Sequence, residues 1–217
     1  MAAARGNADA AVSRQVSDDR ACETDAGPRG APYALAMTTA PTPPGPLSVS
    51  GPWDLVSLGY AAEAQAVMLP FSRDAIDLVD PKPSARVLDV AAGSGMLALE
   101  IARRVARVDA VDFSNEMLAR LEEGRQASGL TNVHARWADG QALPFENATF
   151  DAAFSMFGLM FFPDRKQGFA ELYRVLKPGA RAAVSSWAPI EQSPLMTLMF
   201  GALRAADPSR SPPRRTS

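Results

Sequence analysis

The stretch Asp89-Val90-Ala91-Ala92-Gly93-Ser94-Gly95 brings an acid and two glycines into one short turn. Glycines in such a turn let backbone approach a ligand with no Cβ in the way. The turn follows a short apolar run, which places it at the carboxyl end of a strand, where open α/β sheets bind ligands. Gly93-x-Gly95-x-x-Ala98 on its own serves strand-to-helix packing equally well. Asp112, 17 residues after Gly95, gives it company. A carboxylate there can accept hydrogen bonds from both hydroxyls of a ribose; its competing role is an anion near a helix N-terminus, since Ser114 opens a helix. Asp139 has two readings as well. It can accept from the amino group of an adenine, or it can be a turn residue, because Asp-Gly is a common turn pair.

The elements that must hold these residues are legible in outline. Arg86 to Val90 reads as a buried strand. Leu97, Ile101 and Val105 follow at helical spacing, and Val108 to Val111 reads as a second strand. Ser114 is an N-cap, with Phe113 and Leu118 at staple positions. The helix it opens stops near Gly129. Asn132 to Trp137 and Phe150 to Phe154 make a third and a fourth strand. Asp164 with Gln167 opens another helix, with Phe169, Leu172, Tyr173 and Leu176 as its apolar face. Lys177-Pro178-Gly179 ends it, and Ala182 to Trp187 is a fifth strand. Strand-helix alternation of this kind predicts a parallel sheet with right-handed crossovers.

Ahead of this core, residues 1–50 are rich in Ala, Gly, Pro, Ser and Asp and read as a disordered tail. Residues 53–80 carry apolar positions that suit two short helices broken near Pro70 and form a helical cap. The core domain is expected over 84–190. Residues 191–217 read as a helix followed by a polar tail.

Bulk composition excludes several classes. A 47% apolar content supports one core, and a formal charge of −2 offers no general attraction for nucleic acid or anionic membrane. Cys22 is the only cysteine, so there is no internal disulfide and no paired Cys/His spacing for a metal. A reducing cytoplasm is the simplest setting. No apolar run approaches the roughly 18–20 residues that span a bilayer, and acids interrupt the N-terminal stretch where a secretory signal would be apolar. His134, the only histidine, is expected at a surface or strand edge. The terminal arginines read as a solvated tail.

Taken together, Val87 to Gly95, Val111-Asp112-Phe113-Ser114, Ala138-Asp139, Phe150-Asp151 and Leu176 to Gly179 resemble the class I S-adenosylmethionine-dependent methyltransferases. The closest flavour is the type-11 methyltransferase domain, which includes quinone-biosynthesis C-methyltransferases. The resemblance covers about residues 53 to 190. It implies an α/β, Rossmann-like three-layer sandwich with a mostly parallel sheet of order 3-2-1-4-5. It implies S-adenosylmethionine as cofactor and a small-molecule acceptor. By that resemblance Gly93 and Gly95 pass under the methionine and ribose, Ala91 and Ser94 of the same turn also bind cofactor, and Asp89 sits near the amino end. Asp112 holds the ribose, Asp139 meets the adenine, and Phe113, Met117 and Ala138 flank its ring. Ser155 begins a stretch running to Phe162 beside the methyl group, with Phe157, Met160 and Phe161 facing the acceptor.

The sequence departs from the family in two places. The first glycine of the family's turn is Ala91 here. The family's sheet also has two more strands after the fifth, and only about 30 residues follow Trp187, so the last two strands are expected to be missing and the fifth to be an exposed edge. The sequence identifies no general base, and it leaves the oligomeric state open. Two other readings compete. One is a non-catalytic module that binds cofactor or a partner. The other is a nicotinamide-dependent oxidoreductase, suggested by the glycine turn and by Tyr173-x-x-x-Lys177. The second is disfavoured because Lys177 directly precedes Pro178 at a helix end and Tyr173 falls on the apolar stripe.

Overall fold

A computed structural model describes residues 45–189 and scattered positions between 192 and 205. The expected tail over 1–50 therefore lies almost entirely outside the described residues, as does most of 191–217.

Among the described residues five strands form one sheet, all parallel, in the order third, second, first, fourth, fifth along the chain. They are β1 (Arg86–Val90), β2 (Arg107–Asp112), β3 (Val133–Trp137), β4 (Phe150–Met156) and β5 (Leu176–Ser185). The expected order is the observed one. β1 pairs with β2 from Arg86↔Arg107 to Val90↔Val111 and with β4 from Val87↔Ala152 to Asp89↔Phe154. It is thus the central strand, buried on both faces, which is why it reads as an uninterrupted apolar run around a single acid.

Two cores flank the sheet. One gathers Ile76, Val87, Leu97, Ile101, Leu121 and Phe154 under α1 (Ser50–Val79), α2 (Met96–Ile101) and α3 (Asn115–Ala127). The other gathers Leu88, Val90, Val111, Phe150, Leu172 and Val175 under α4 (Arg165–Val175). Val87 and Leu88 go to opposite cores because successive side chains of a strand alternate faces. Both expected caps are present: Ser114 Oγ accepts from Met117 N at 3.1 Å, and Asp164 Oδ1 accepts from Gln167 N at 3.0 Å.

Three local expectations are corrected. α1 is one helix of 30 residues that runs through Pro70, not two broken near it. Proline removes one backbone hydrogen bond, but the turns after it bury Ser72, Ala75, Ile76 and Val79, and that packing holds the helix continuous. The buried face of α4 is Gly168, Leu172 and Val175, whereas Phe169 and Tyr173 are exposed. Gly168 earns its place because Phe162 lies where a Cβ would stand.

The third correction concerns Lys177-Pro178-Gly179. It does not end the helix, which stops at Val175; it is an irregularity inside β5. Leu176 pairs with Phe150 and Arg181 with Ala152, so the residues between them bow out of the ladder, as at a β-bulge. Gly179 there has φ +77°. Lys177 Nζ then meets Asp151 Oδ1 at 2.7 Å. The pair Tyr173/Lys177 is therefore split between an exposed helix face and a strand salt bridge, which removes the basis of the dehydrogenase reading. Among the described residues β5 is an edge of the sheet.

Candidate functional site

The carboxyl ends of β1, β2 and β4 open into a cleft of about 210 Å³. Its floor is the turn after β1. Ala91, Gly93 and Gly95 all have positive φ, at +57°, +55° and +86°. That succession turns the chain from strand into α2 and exposes Gly93 to the cleft. Gly95 is a packing position: a Cβ on it would come within 2.5 Å of Leu121 Cγ.

Asp112 ends β2 beside this turn. Its Oδ2 accepts from Gly93 N at 2.8 Å and its Oδ1 from Ser114 N at 2.9 Å. Burial raises its pKa, while the amides of Ser114, Gly93 and Phe113 pull it down. An ionised carboxylate has about four lone-pair sites, so these amides leave acceptor capacity on a side chain that lines the cleft. Ser114 Oγ donates to Asp54 Oδ1 at 2.5 Å, tying α1 to the same corner.

Asp89 lies deeper, lining a smaller cavity of about 50 Å³ with Ala91, Gly93, Ser94, Met156 and Phe157. It is buried, and its Oδ2 has no hydrogen-bond partner. Burial, reinforced by the neighbouring Asp112 carboxylate and opposed by the Ala98 amide, pushes its pKa up to about 8. A buried, half-satisfied acid of this kind is complementary to a cation.

The adenine-side candidates are brought together. Phe113, Met117, Ala138 and Asp139 all line the main cleft. Asp139 is exposed and its Oδ1 accepts from Gln141 N at 2.8 Å and Gln141 Nε2 at 3.2 Å, so the turn role is present whatever else it holds. Trp137 Nε1 donates to Phe113 O at 2.8 Å, closing that end.

Three candidates stand outside both cavities. Gly95 is packed under Leu121. Ser155 is fully buried and its hydroxyl accepts from Leu159 N at 3.2 Å, bracing the turn after β4. Met160 lies on the 3₁₀ turn Leu159–Phe161 but does not reach the cleft, whereas Phe157 and Phe161 do. His134 is exposed.

Sequence reasoning missed the roof. Leu47, Ser48, Trp53 and Tyr60 line the cleft from the start of α1. Trp53 Nε1 donates to Leu47 O at 2.9 Å, and its ring meets Tyr60 and Phe161 edge-on at 6.0 and 5.2 Å. The Tyr60 hydroxyl donates to Met68 Sδ at 3.3 Å; burial and the Asp112 charge raise its pKa. The only advance signal was an aromatic pair near the start of an apolar helix.

With this geometry in view, the comparisons are specific. A methyltransferase-domain family model matches residues 87–179, from β1 to the β5 bulge. Residues 87–179 thus match a methyltransferase domain. Demethylmenaquinone methyltransferase of Thermus thermophilus is 42% identical over 123 residues, covering 56% of each chain. An uncharacterized protein of Mycobacterium tuberculosis is 40% identical over 128 residues, 59% of this chain and 46% of its own. The chain thus spans about half the length of the curated relatives it matches. Among solved structures, the YcgJ protein of Bacillus aligns with a TM-score of 0.52 and 29% identity, covering 62% of this chain and 58% of that one. The matched residues carry Asp89, Asp112, Phe157 and Phe161, and α1, which precedes them, adds Trp53 and Tyr60 to the cleft.

Proposed function

We propose that this chain is an S-adenosylmethionine-dependent methyltransferase acting on a small-molecule acceptor, with residues 84–190 as the binding domain and 53–80 as its cap. The observation that carries the reading is the Asp112 carboxylate. It is fixed by the amides of Gly93 and Ser114 at the cleft wall and keeps acceptor capacity for the hydroxyls of a ribose. Asp89 supports it independently: its unpartnered Oδ2 suits the ammonium of the cofactor's amino-acid end. Ala138, Phe113 and Met117 give an apolar slot at the far side of Asp112 for a flat base, with Asp139 at its rim. Two acids at the turn also oppose a dinucleotide, whose pyrophosphate would lie against them.

When bound, S-adenosylmethionine supplies a methyl group on a positively charged sulfur, already activated for departure, so the chain need provide no nucleophile. Its residues bind, orient and exclude water. The acceptor atom has to stand about 3 Å from the methyl carbon and in line with the breaking bond. Phe157 and Phe161, at the junction of the two cavities and in the main cleft, are the walls that set that position. No helix among the described residues is long and apolar enough to cross a membrane; a cytoplasmic setting is part of this reading and rests on the lone Cys22.

Calorimetric titration with S-adenosylmethionine, S-adenosylhomocysteine and NADH tests the proposal. The two sulfur nucleosides should bind and NADH should not. Binding of NADH without the other two would overturn it.

A further inference from the structure

The smaller cavity carries more hydrogen-bonding capacity than the chain itself uses. Asp89 is buried and its Oδ2 has no partner. Ser72, on α1, is 2% exposed and lines the same cavity, and among the described residues its hydroxyl makes no hydrogen bond. Tyr60, also on α1, donates its hydroxyl proton to Met68 Sδ at 3.3 Å, and a thioether is a weak acceptor. No Lys, Arg or His among the described residues lines this cavity.

Two elements thus bring unused polar groups to one space of about 50 Å³: β1 the acid, α1 the hydroxyls. Both hydroxyls are held in place. Ser72 belongs to the buried face of α1 with Ala75, Ile76 and Val79, and the Tyr60 ring meets Trp53 edge-on. Burial and the Asp112 charge raise the Tyr60 pKa, so its hydroxyl keeps its proton at neutral pH and acts as a donor. The cavity also adjoins the main cleft, because Tyr60, Ala91, Gly93, Met156 and Phe157 line both. A ligand whose ribose lies at Asp112 can therefore continue past Gly93 into it.

We infer that α1 reads the carboxylate of the cofactor's amino-acid end: Ser72 and Tyr60 donate to it while Asp89 receives the ammonium. A carboxylate that enters a cavity without a cation needs neutral donors, because burying it unpaired is costly. Hydroxyls that donate to an ionised acceptor make the stronger class of hydrogen bond. A lone ammonium would leave the protons of both hydroxyls with no acceptor better than a thioether, and a lone anion would meet Asp89. A zwitterion uses all three groups. The inference rests on the methyltransferase reading above and extends it. α1 precedes the matched residues 87–179, and it becomes part of the cofactor site as well as the roof.

Calorimetry on the full chain with three ligands tests it. They are S-adenosylhomocysteine, its decarboxylated analogue, which keeps the amine, and 5′-methylthioadenosine, which has no amino-acid end. The wild type should bind S-adenosylhomocysteine about tenfold or more tighter than the decarboxylated analogue, the lower end for hydrogen bonds to a charged group. Ser72→Ala and Tyr60→Phe each remove one oxygen, and circular dichroism checks their fold. Each should weaken S-adenosylhomocysteine about tenfold and leave the other two ligands within about twofold. An equal loss for all three ligands in either variant gives that hydroxyl a packing role and overturns the inference. Unchanged affinity for S-adenosylhomocysteine in either variant overturns it too, and leaves the cavity to water. Equal binding of S-adenosylhomocysteine and 5′-methylthioadenosine by the wild type strikes the tail site alone. Failure of all three to bind strikes the methyltransferase reading and this inference with it.

Discussion

The floor and the roof of the cleft are built on different principles. The floor, from Asp89 to Gly95 with Asp112, is made of backbone: three alternate positive-φ positions and two amides that fix one carboxylate. The roof, from Trp53 and Tyr60 to Phe157 and Phe161, is made of side chains from segments about a hundred residues apart, meeting ring against ring. A backbone-built site admits few sequences and keeps one geometry. A packed aromatic roof can be refilled with other side chains while the floor stays as it is. A shared fold does not fix a shared reaction.

If the floor is backbone-built, its glycine at the helix junction should be the least replaceable residue. Gly95→Val places a branched side chain against Leu121, where a Cβ alone would stand at 2.5 Å from Cγ, on a residue with φ +86°. Overpacking and left-handed strain together should cost about 3–4 kcal/mol of stability, read as a fall in the urea midpoint. A loss below 1 kcal/mol would mean that the floor yields as easily as the roof. Asp112→Ala comes next. It should weaken S-adenosylhomocysteine by about 1.5–3 kcal/mol, the worth of hydrogen bonds to a charged group, measured by calorimetry. Unchanged affinity would detach the carboxylate from the cofactor.

Asp89 sharpens the comparison through pH. Its pKa in the folded chain is raised to about 8 from an ordinary value of 3.8. The folded state therefore holds a proton that the unfolded chain has already released. Stability should be unaffected by this group below about pH 4, fall as pH rises from there to about 8, and level off above. Asp89→Asn should remove that slope, so its advantage over the wild type widens as pH rises from about 4 to about 8. Binding of a cationic ammonium prefers the ionised acid, so affinity for S-adenosylhomocysteine should rise with pH up to about 8 in the wild type and not in the variant. Calorimetry in buffers of different ionisation enthalpy reads the released proton directly. A wild-type stability profile flat between pH 4 and 8 contradicts the assignment.

This division also decided what was legible in the sequence. The strands, the two N-caps and the acids at the strand ends follow from local rules: apolar runs, a serine or aspartate before a helix, a glycine turn after a strand; the strand order came from the family resemblance. Errors came where tertiary packing overrides them. Pro70 signals a break, but the burial of Ile76 and Val79 carries α1 through it. Phe169 and Tyr173 look like a core stripe, yet the buried face runs through Gly168, because an aromatic from another segment, Phe162, fills the space a side chain would need. Trp53 and Tyr60 carry no motif at all; their place above Asp112 exists only once α1 has docked on α2 and α3. Gly95, Ser155 and Met160 lie in the predicted segments but line neither cavity, a distinction spacing cannot make.

The smallest expected effect lies where floor and roof touch. Ala91 stands at φ +57° in place of a glycine, and left-handed backbone costs a residue with a Cβ roughly 1–2 kcal/mol. The structure shows how the methyl is accommodated: a Cβ on Gly158, at the start of the roof turn, would collide with the Ala91 Cβ, so glycine at 158 leaves the room that alanine at 91 needs. Ala91→Gly relieves the strain but frees the unfolded chain, a loss of about 0.4–1 kcal/mol. The net should be a gain of about 0.5–1 kcal/mol in urea unfolding, with cofactor affinity kept. Gly158→Ala in the wild type should cost more than the same change in the Ala91→Gly background, because the second methyl then has space. If the two changes are additive in a double-mutant cycle, the turn after β1 and the turn after β4 are independent, and the site is two structures that merely adjoin.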